Sequence, residues 1–145
     1  MAGKFDSFSD LLRAALGDRL APAEGLVNLF AEDVVFEFPY APEGLPRRLD
    51  GSAALGAHMA RLGPLLSFGP MQLGDVHDAG ATVVFEFTCC GRGLVTGAPY
   101  DQHYVSVVTL RDGRIVRYRD FWNPLAVLTA LGGAEAAAAA LAEGA

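Results

Sequence analysis

Two runs of alternating side chains, residues 100–110 and 114–122, are joined by Arg111-Asp112-Gly113-Arg114. Asp-Gly at the centre of such a step supplies the left-handed residues a two-residue hairpin needs, so the runs pair as antiparallel neighbours. The turn also sets a register. Arg111 opposes Arg114, Leu110 opposes Ile115, Val107 opposes Tyr118, Val105 opposes Asp120 and His103 opposes Trp122. Residues directly opposite share a face. One face carries His103, Val105, Val107, Thr109, Val116, Tyr118, Asp120 and Trp122, and the other Tyr104, Ser106, Val108, Arg117, Arg119 and Phe121. Arginines seek water, so the second face is expected outside and the Asp120 face against the rest of the chain. Tyr104, Val108 and Phe121 then make an apolar outer patch, the expected seat of a homodimer through the outer sheet face. A one-residue bulge would invert part of this count.

The chain before the hairpin is helical first and extended later. Phe5, Phe8, Leu11, Leu12, Ala15, Leu16 and Leu20 recur at helical spacing. Pro22 suits the start of a second, short helix through Phe30. Residues 34–38 read as a strand stopped by Pro39, and 41–50 as a loop. A third helix begins at Asp50 or Ser52 and carries Leu55, His58, Met59, Leu62, Leu65 and Leu66 on its apolar side, up to Gly69-Pro70. Residues 71–77 and 81–90 are two more strands, and Asn123-Pro124 opens a last helix ending at Gly132. This order is an α+β layout with helices gathered on one face of a sheet. The 145 residues suit one domain, 1–132, followed by an alanine-rich tail, 133–145, that reads equally as a helix or as a frayed end.

Hydrophobic residues make up 52% of the chain and charged residues 19%, more apolar than a core alone requires. The excess points to a lined cavity or a subunit interface. A net charge of −6 repels phosphate backbones, so no nucleic-acid partner is expected. No run reaches the ~20 apolar residues of a membrane span, and an acid interrupts the start where a signal peptide is greasy. Cys89 and Cys90 are adjacent, with no CxxC spacing and no Cys/His cluster, so no metal site and a cytoplasmic location are expected.

His58 lies on the apolar stripe of the third helix, which aims it at the same interior as Asp120 and His103. Two imidazoles and one carboxylate in a greasy cavity are a candidate acid–base site. A buried carboxylate is driven toward its neutral form unless an imidazole stabilises the charge. The plainer readings are that Asp120 bridges Arg117 or Arg119 outside, that His58 is a core histidine, and that His103 packs against Trp122.

These residues resemble the nuclear transport factor 2-like fold shared by ketosteroid isomerase, limonene epoxide hydrolase and SnoaL-like polyketide cyclases. Leu29-Phe30-Ala31-Glu32-Asp33-Val34, a strand and Pro39 are similar to its opening. Asp112-Gly113-Arg114-Ile115 and Tyr118-Arg119-Asp120-Phe121-Trp122-Asn123-Pro124 resemble the close of the phenazine biosynthesis A/B family. The resemblance implies a cone-shaped, curved mixed sheet, cystatin-like, with N-terminal helices over its concave face. It also implies that Asp120, where the family has Glu, is the general acid. His58, after Gly51 and Leu55, is implied as a pocket histidine, and Tyr100, just before His103, as a pocket tyrosine. The face count puts Tyr100 outward, so a bulge or loop position is needed. Leu62 stands where the family has a hydroxyl, and Phe38 where ketosteroid isomerase has its base.

The expected protein is a cofactor-free acid–base isomerase, cyclase or condensation-type enzyme on a small apolar carbonyl or ring compound. Asp120, His58 and Tyr100 are its catalytic candidates. His103, Trp122, Phe38, Tyr40, Leu62 and Tyr118 are candidates for holding the substrate. The rival expectation is a non-catalytic ligand-binding or structural dimer module of the same fold.

Overall fold

The computed structural model describes residues 3–141. A short edge strand, β1 (Gly3–Phe5), precedes helix α1 (Phe8–Leu16), which Ser7 caps by accepting a hydrogen bond from the Asp10 N–H. Leu11, Leu12, Ala15 and Leu16 bury the inner face of α1. The segment after Pro22 does not form the expected helix. Only a 3-10 turn, Val27–Leu29, precedes strand β2 (Phe30–Glu37). Gly25 sits at φ 75°, a left-handed conformation that no helix interior contains.

The expected loop conceals strand β3 (Arg48–Asp50), antiparallel to β2. Helix α2 (Ser52–Leu62) buries Leu55 and His58, and the short β4 (Leu66–Ser67) follows it. Four longer strands come next: β5 (Met71–Ala79), β6 (Thr82–Gly93), β7 (Pro99–Arg111) and β8 (Arg114–Phe121). Asn123 caps helix α3 (Pro124–Leu131), with proline in its first turn and Gly132 left-handed at its end. The alanine-rich segment set apart as a tail forms helix α4 (Ala134–Leu141), with Ala137 and Leu141 buried. It packs against α2 and α3. No single helix among the described residues is long and apolar enough to cross a bilayer, and the α3–α4 pair is bent by 84°.

The strands form one sheet in the order β1-β5-β6-β7-β8-β2-β3, with β4 added on β6. Only β2 and β8 run parallel, so the sheet is mixed. Phe36, Phe85, Val83, Val108 and Tyr118 lie at the centre of its inner face, each no more than 1% exposed.

The hairpin forms where expected, with Asp112 at φ 54° and Gly113 at φ 77°. Its first rungs, Arg111–Arg114 and Leu110–Ile115, hold the expected register. The ladder then slips, because Thr109 faces Arg117 and Val116 is left over. This bulge inverts the expected faces of β7 while leaving those of β8 from Arg117 onward unchanged. Tyr104, Ser106 and Val108 turn inward and are buried, and His103 turns outward. Two of the three residues behind the expected outer patch, Tyr104 and Val108, therefore belong to the core. Phe121 stays outside, beneath Tyr40 and Arg119.

Candidate functional site

Between the inner face of the sheet and the helices lies a cavity of about 570 Å³. Its strand-side wall comes from Phe36 of β2 and Phe38 just beyond it, Phe87 of β6, Tyr100 and Tyr104 of β7, and Asp120 and Trp122 at the end of β8. The helices contribute Phe8, His58, Met59, Leu62, Val127 and Leu141. No lysine or arginine lines it among the described residues. A cavity of this size without a cation suits an uncharged, mostly apolar molecule.

The Asp120 side chain borders the cavity, but its Oδ1 is enclosed and has no hydrogen-bond partner. Loss of water pushes its pKa up to about 8. No imidazole holds its charge, as the sequence left open, so at neutral pH it is a carboxylic acid with a proton to offer. His58 is 4% exposed, packs 5.2 Å from the Phe38 ring, and has an enclosed, unpartnered Nδ1. Burial, and then Arg61 one turn along, push its pKa down to about 4. The cavity therefore presents an uncharged acid and an uncharged base.

The register slip in β7 adds a group that the face count placed outside. Tyr104 Oη lies 2.6 Å from Tyr100 Oη, both buried. The Gln102 side-chain amide donates to Tyr100 Oη at 3.4 Å and to the Asn123 carbonyl at 3.0 Å. It accepts from the Asn123 N–H at 2.7 Å, which ties it to the start of α3. With Gln102 donating to Tyr100, the Tyr100 proton is free for Tyr104, and the Tyr104 proton is free for a ligand. Ser106 opposes Asp120 and Val105 opposes Phe121, so Tyr104 and Asp120 are diagonal neighbours on one face. Burial raises both tyrosine pKa values far above the ordinary range, which keeps the hydroxyls protonated.

Of the other expected site residues, Phe38, Leu62 and Trp122 border the cavity. Tyr118 does not. It lies beneath the floor, stacked on Phe36 at 4.4 Å, with its hydroxyl 2.7 Å from Ser106 Oγ. Tyr40 is 61% exposed and rests edge-on against Phe121, outside the cavity. His103 is on the outer face, where its Nε2 lies 2.7 Å from Glu86 Oε1, so it does not join His58 and Asp120. Tyr104 and Gln102 were missed. The signal available for them was Tyr100: alternation gives residues 100, 102 and 104 one face, so a pocket tyrosine at 100 brings both along.

The profile of the SnoaL-like domain matches residues 12–118. The chain belongs to the SnoaL-like family. An uncharacterized PhzA/B-like protein of Pseudomonas aeruginosa is 44% identical over 119 residues, spanning 80% of this chain and 83% of that one. A solved Bacillus subtilis structure with the provisional name isomerase is 45% identical at a TM-score of 0.71, covering 74% of this chain and 79% of that one. A Catenulispora acidiphila protein of ketosteroid isomerase-like fold, solved with trimethylamine, superposes at a TM-score of 0.62. It shares 18% identity and covers 75% of this chain and 81% of that one. The curved mixed sheet with helices is thus the SnoaL-like, nuclear transport factor 2-like fold.

Proposed function

We propose that this SnoaL-like chain is a cofactor-free acid–base enzyme that moves a proton on a small, uncharged carbonyl or ring compound. The observation that carries the reading is the Asp120 carboxyl, enclosed without a hydrogen-bond partner at the wall of an apolar cavity that also holds the buried, unpartnered His58 imidazole. The Asp120 O–H donates to the substrate oxygen, and the Tyr104 hydroxyl, backed by Tyr100 and Gln102, donates to the same oxygen. Neutral His58 accepts a proton from the carbon beside the carbonyl, and the electrons of that C–H bond move into an enol. Return of the proton to a different carbon is an isomerisation, and attack by the enol carbon within the same molecule is a cyclisation. Two aligned donors in a dry site stabilise an enolate-like transition state better than water does.

The test is hydrogen–deuterium exchange beside the carbonyl of cyclic ketones, followed by NMR in deuterated buffer. The parent chain is expected to accelerate exchange, and Asp120→Asn to lose at least about a hundredfold of the acceleration while staying folded. An Asp120→Asn chain that exchanges at the parent rate overturns the mechanism. Unaccelerated exchange, with ligand binding retained, favours the non-catalytic reading, for which the apolar Leu62 and Phe38 speak.

A further inference from the structure

Strand β5 departs from simple alternation. Leu73 opposes Phe87 and Val76 opposes Phe85, so Gly74 and Asp75 together face the single residue Glu86. A bulge of this kind reverses the alternation of everything after it. Val76 takes the side of Phe85, and Asp75 and His77 emerge on the side of Glu86. Without the bulge, an acid and an imidazole would follow Leu73 toward the core, where neither has a partner.

On the outer face, one ligand atom from each of Asp75, His77 and Glu86 lies within 4.8 Å of the others. A second imidazole reaches the group from β7, with His103 Nε2 2.7 Å from Glu86 Oε1. Three adjacent strands thus bring together two imidazoles and two carboxylates. None of the four forms an ion pair with lysine or arginine among the described residues. Nearby Asp78, by contrast, is paired with Arg19.

We propose that Asp75, His77 and Glu86 bind a divalent transition-metal ion of the zinc type, with His103 holding the Glu86 carboxylate in place. Mixed imidazole and carboxylate donors suit zinc, copper or nickel, whereas magnesium and calcium favour all-oxygen shells. Metal–ligand distances of about 2.0–2.2 Å put tetrahedral donors roughly 3.3–3.6 Å apart, so the exposed Asp75 and His77 and the half-buried Glu86 need only small rotations. A His103 N–H donated to Glu86 Oε1 leaves Oε2 for the ion and orients it, as an outer-shell partner does. Three protein ligands leave a fourth position for water or for a group on another molecule. The site lies across the sheet from the cavity and does not depend on the acid–base reading. Bound metal ties β5 to β6 and stabilises the folded chain.

The test uses the full chain carrying Cys90→Ser, which removes the exposed Cys90 thiol as a competing ligand. Titration with zinc chloride, followed by calorimetry, is expected to saturate at one ion per chain and raise the melting temperature, and a chelator reverses the rise. His77→Ala or Glu86→Gln weakens binding at least about a hundredfold without changing the metal-free melting temperature. His103→Ala weakens it about ten- to a hundredfold, and His103→Gln, which can still donate to Glu86, recovers part of that loss. Absence of saturable uptake by the parent chain overturns the proposal, as does an isotherm that His77→Ala and Glu86→Gln leave unchanged.

Discussion

Asp120 and His58 meet the same loss of water with opposite consequences. Burial raises the acid to about 8 and lowers the base to about 4, so between those values both groups are uncharged. The proposed reaction needs both in that form. Its kcat/KM is therefore expected to rise through pH about 4, stay level, and fall through pH about 8. A rate still climbing at alkaline pH would contradict the assignment of Asp120 as the acid. The same shifts make predictions about stability. Asp120 has a folded pKa above its ordinary 3.8, so its contribution is whole below that value and is lost as pH rises to about 8. The melting temperature of Asp120→Asn should exceed that of the parent by a margin that widens across this window. His58 has a folded pKa below 6.5, so its contribution is present above that value and is lost as pH falls toward about 4. Calorimetry of His58→Leu should show less acid sensitivity in that interval than the parent. A margin that narrows with pH for Asp120→Asn would mean the carboxyl is charged in the folded chain.

Glycines let several elements meet more closely than side chains allow. A Cβ on Gly93 would run into the Ala130 carbonyl of α3, and one on Gly91 into the Ser67 carbonyl of β4. Gly93→Ala must lift α3 from the sheet, which is expected to cost about 2–3 kcal/mol and lower the urea midpoint. A midpoint equal to the parent's would mean that α3 yields freely. At this scale the sequence was legible where a pattern was long or a turn residue was decisive. Helix α1, helix α2, the four long strands and the Asp112-Gly113 turn all announce themselves. Strands β1 and β3 have three residues each, too few to show a period. The helix expected after Pro22 fails at Gly25. The bulges at Val116 and at Gly74-Asp75 are invisible to periodicity, because each depends on what the partner strand offers.

At the scale of the whole molecule, the cavity is closed by elements from both ends of the chain. Phe8 of α1 and Leu141 of α4 face the same space as Asp120. Removing residues 134–145 should open the cavity and weaken binding of an apolar ligand about tenfold, the equivalent of losing one well-buried leucine contact. Trp122 is the only tryptophan and borders the cavity, so its fluorescence reports the titration directly. Unchanged affinity after truncation would show that α4 has no part in the wall.

From the amino-acid sequence alone came the α+β layout, the hairpin, and the placing of Asp120 and His58 on apolar faces, because local patterns of polarity and turn chemistry reach that far. The tertiary structure decided that Tyr104 joins Tyr100 inside, and that His103 leaves the cavity for Glu86. It also decided that Asp75 and His77 share the outer face, and that the alanine-rich segment packs as a helix. Each of these turns on how one strand or helix lies against another, and a single extra residue in a ladder sends every later side chain to the opposite face.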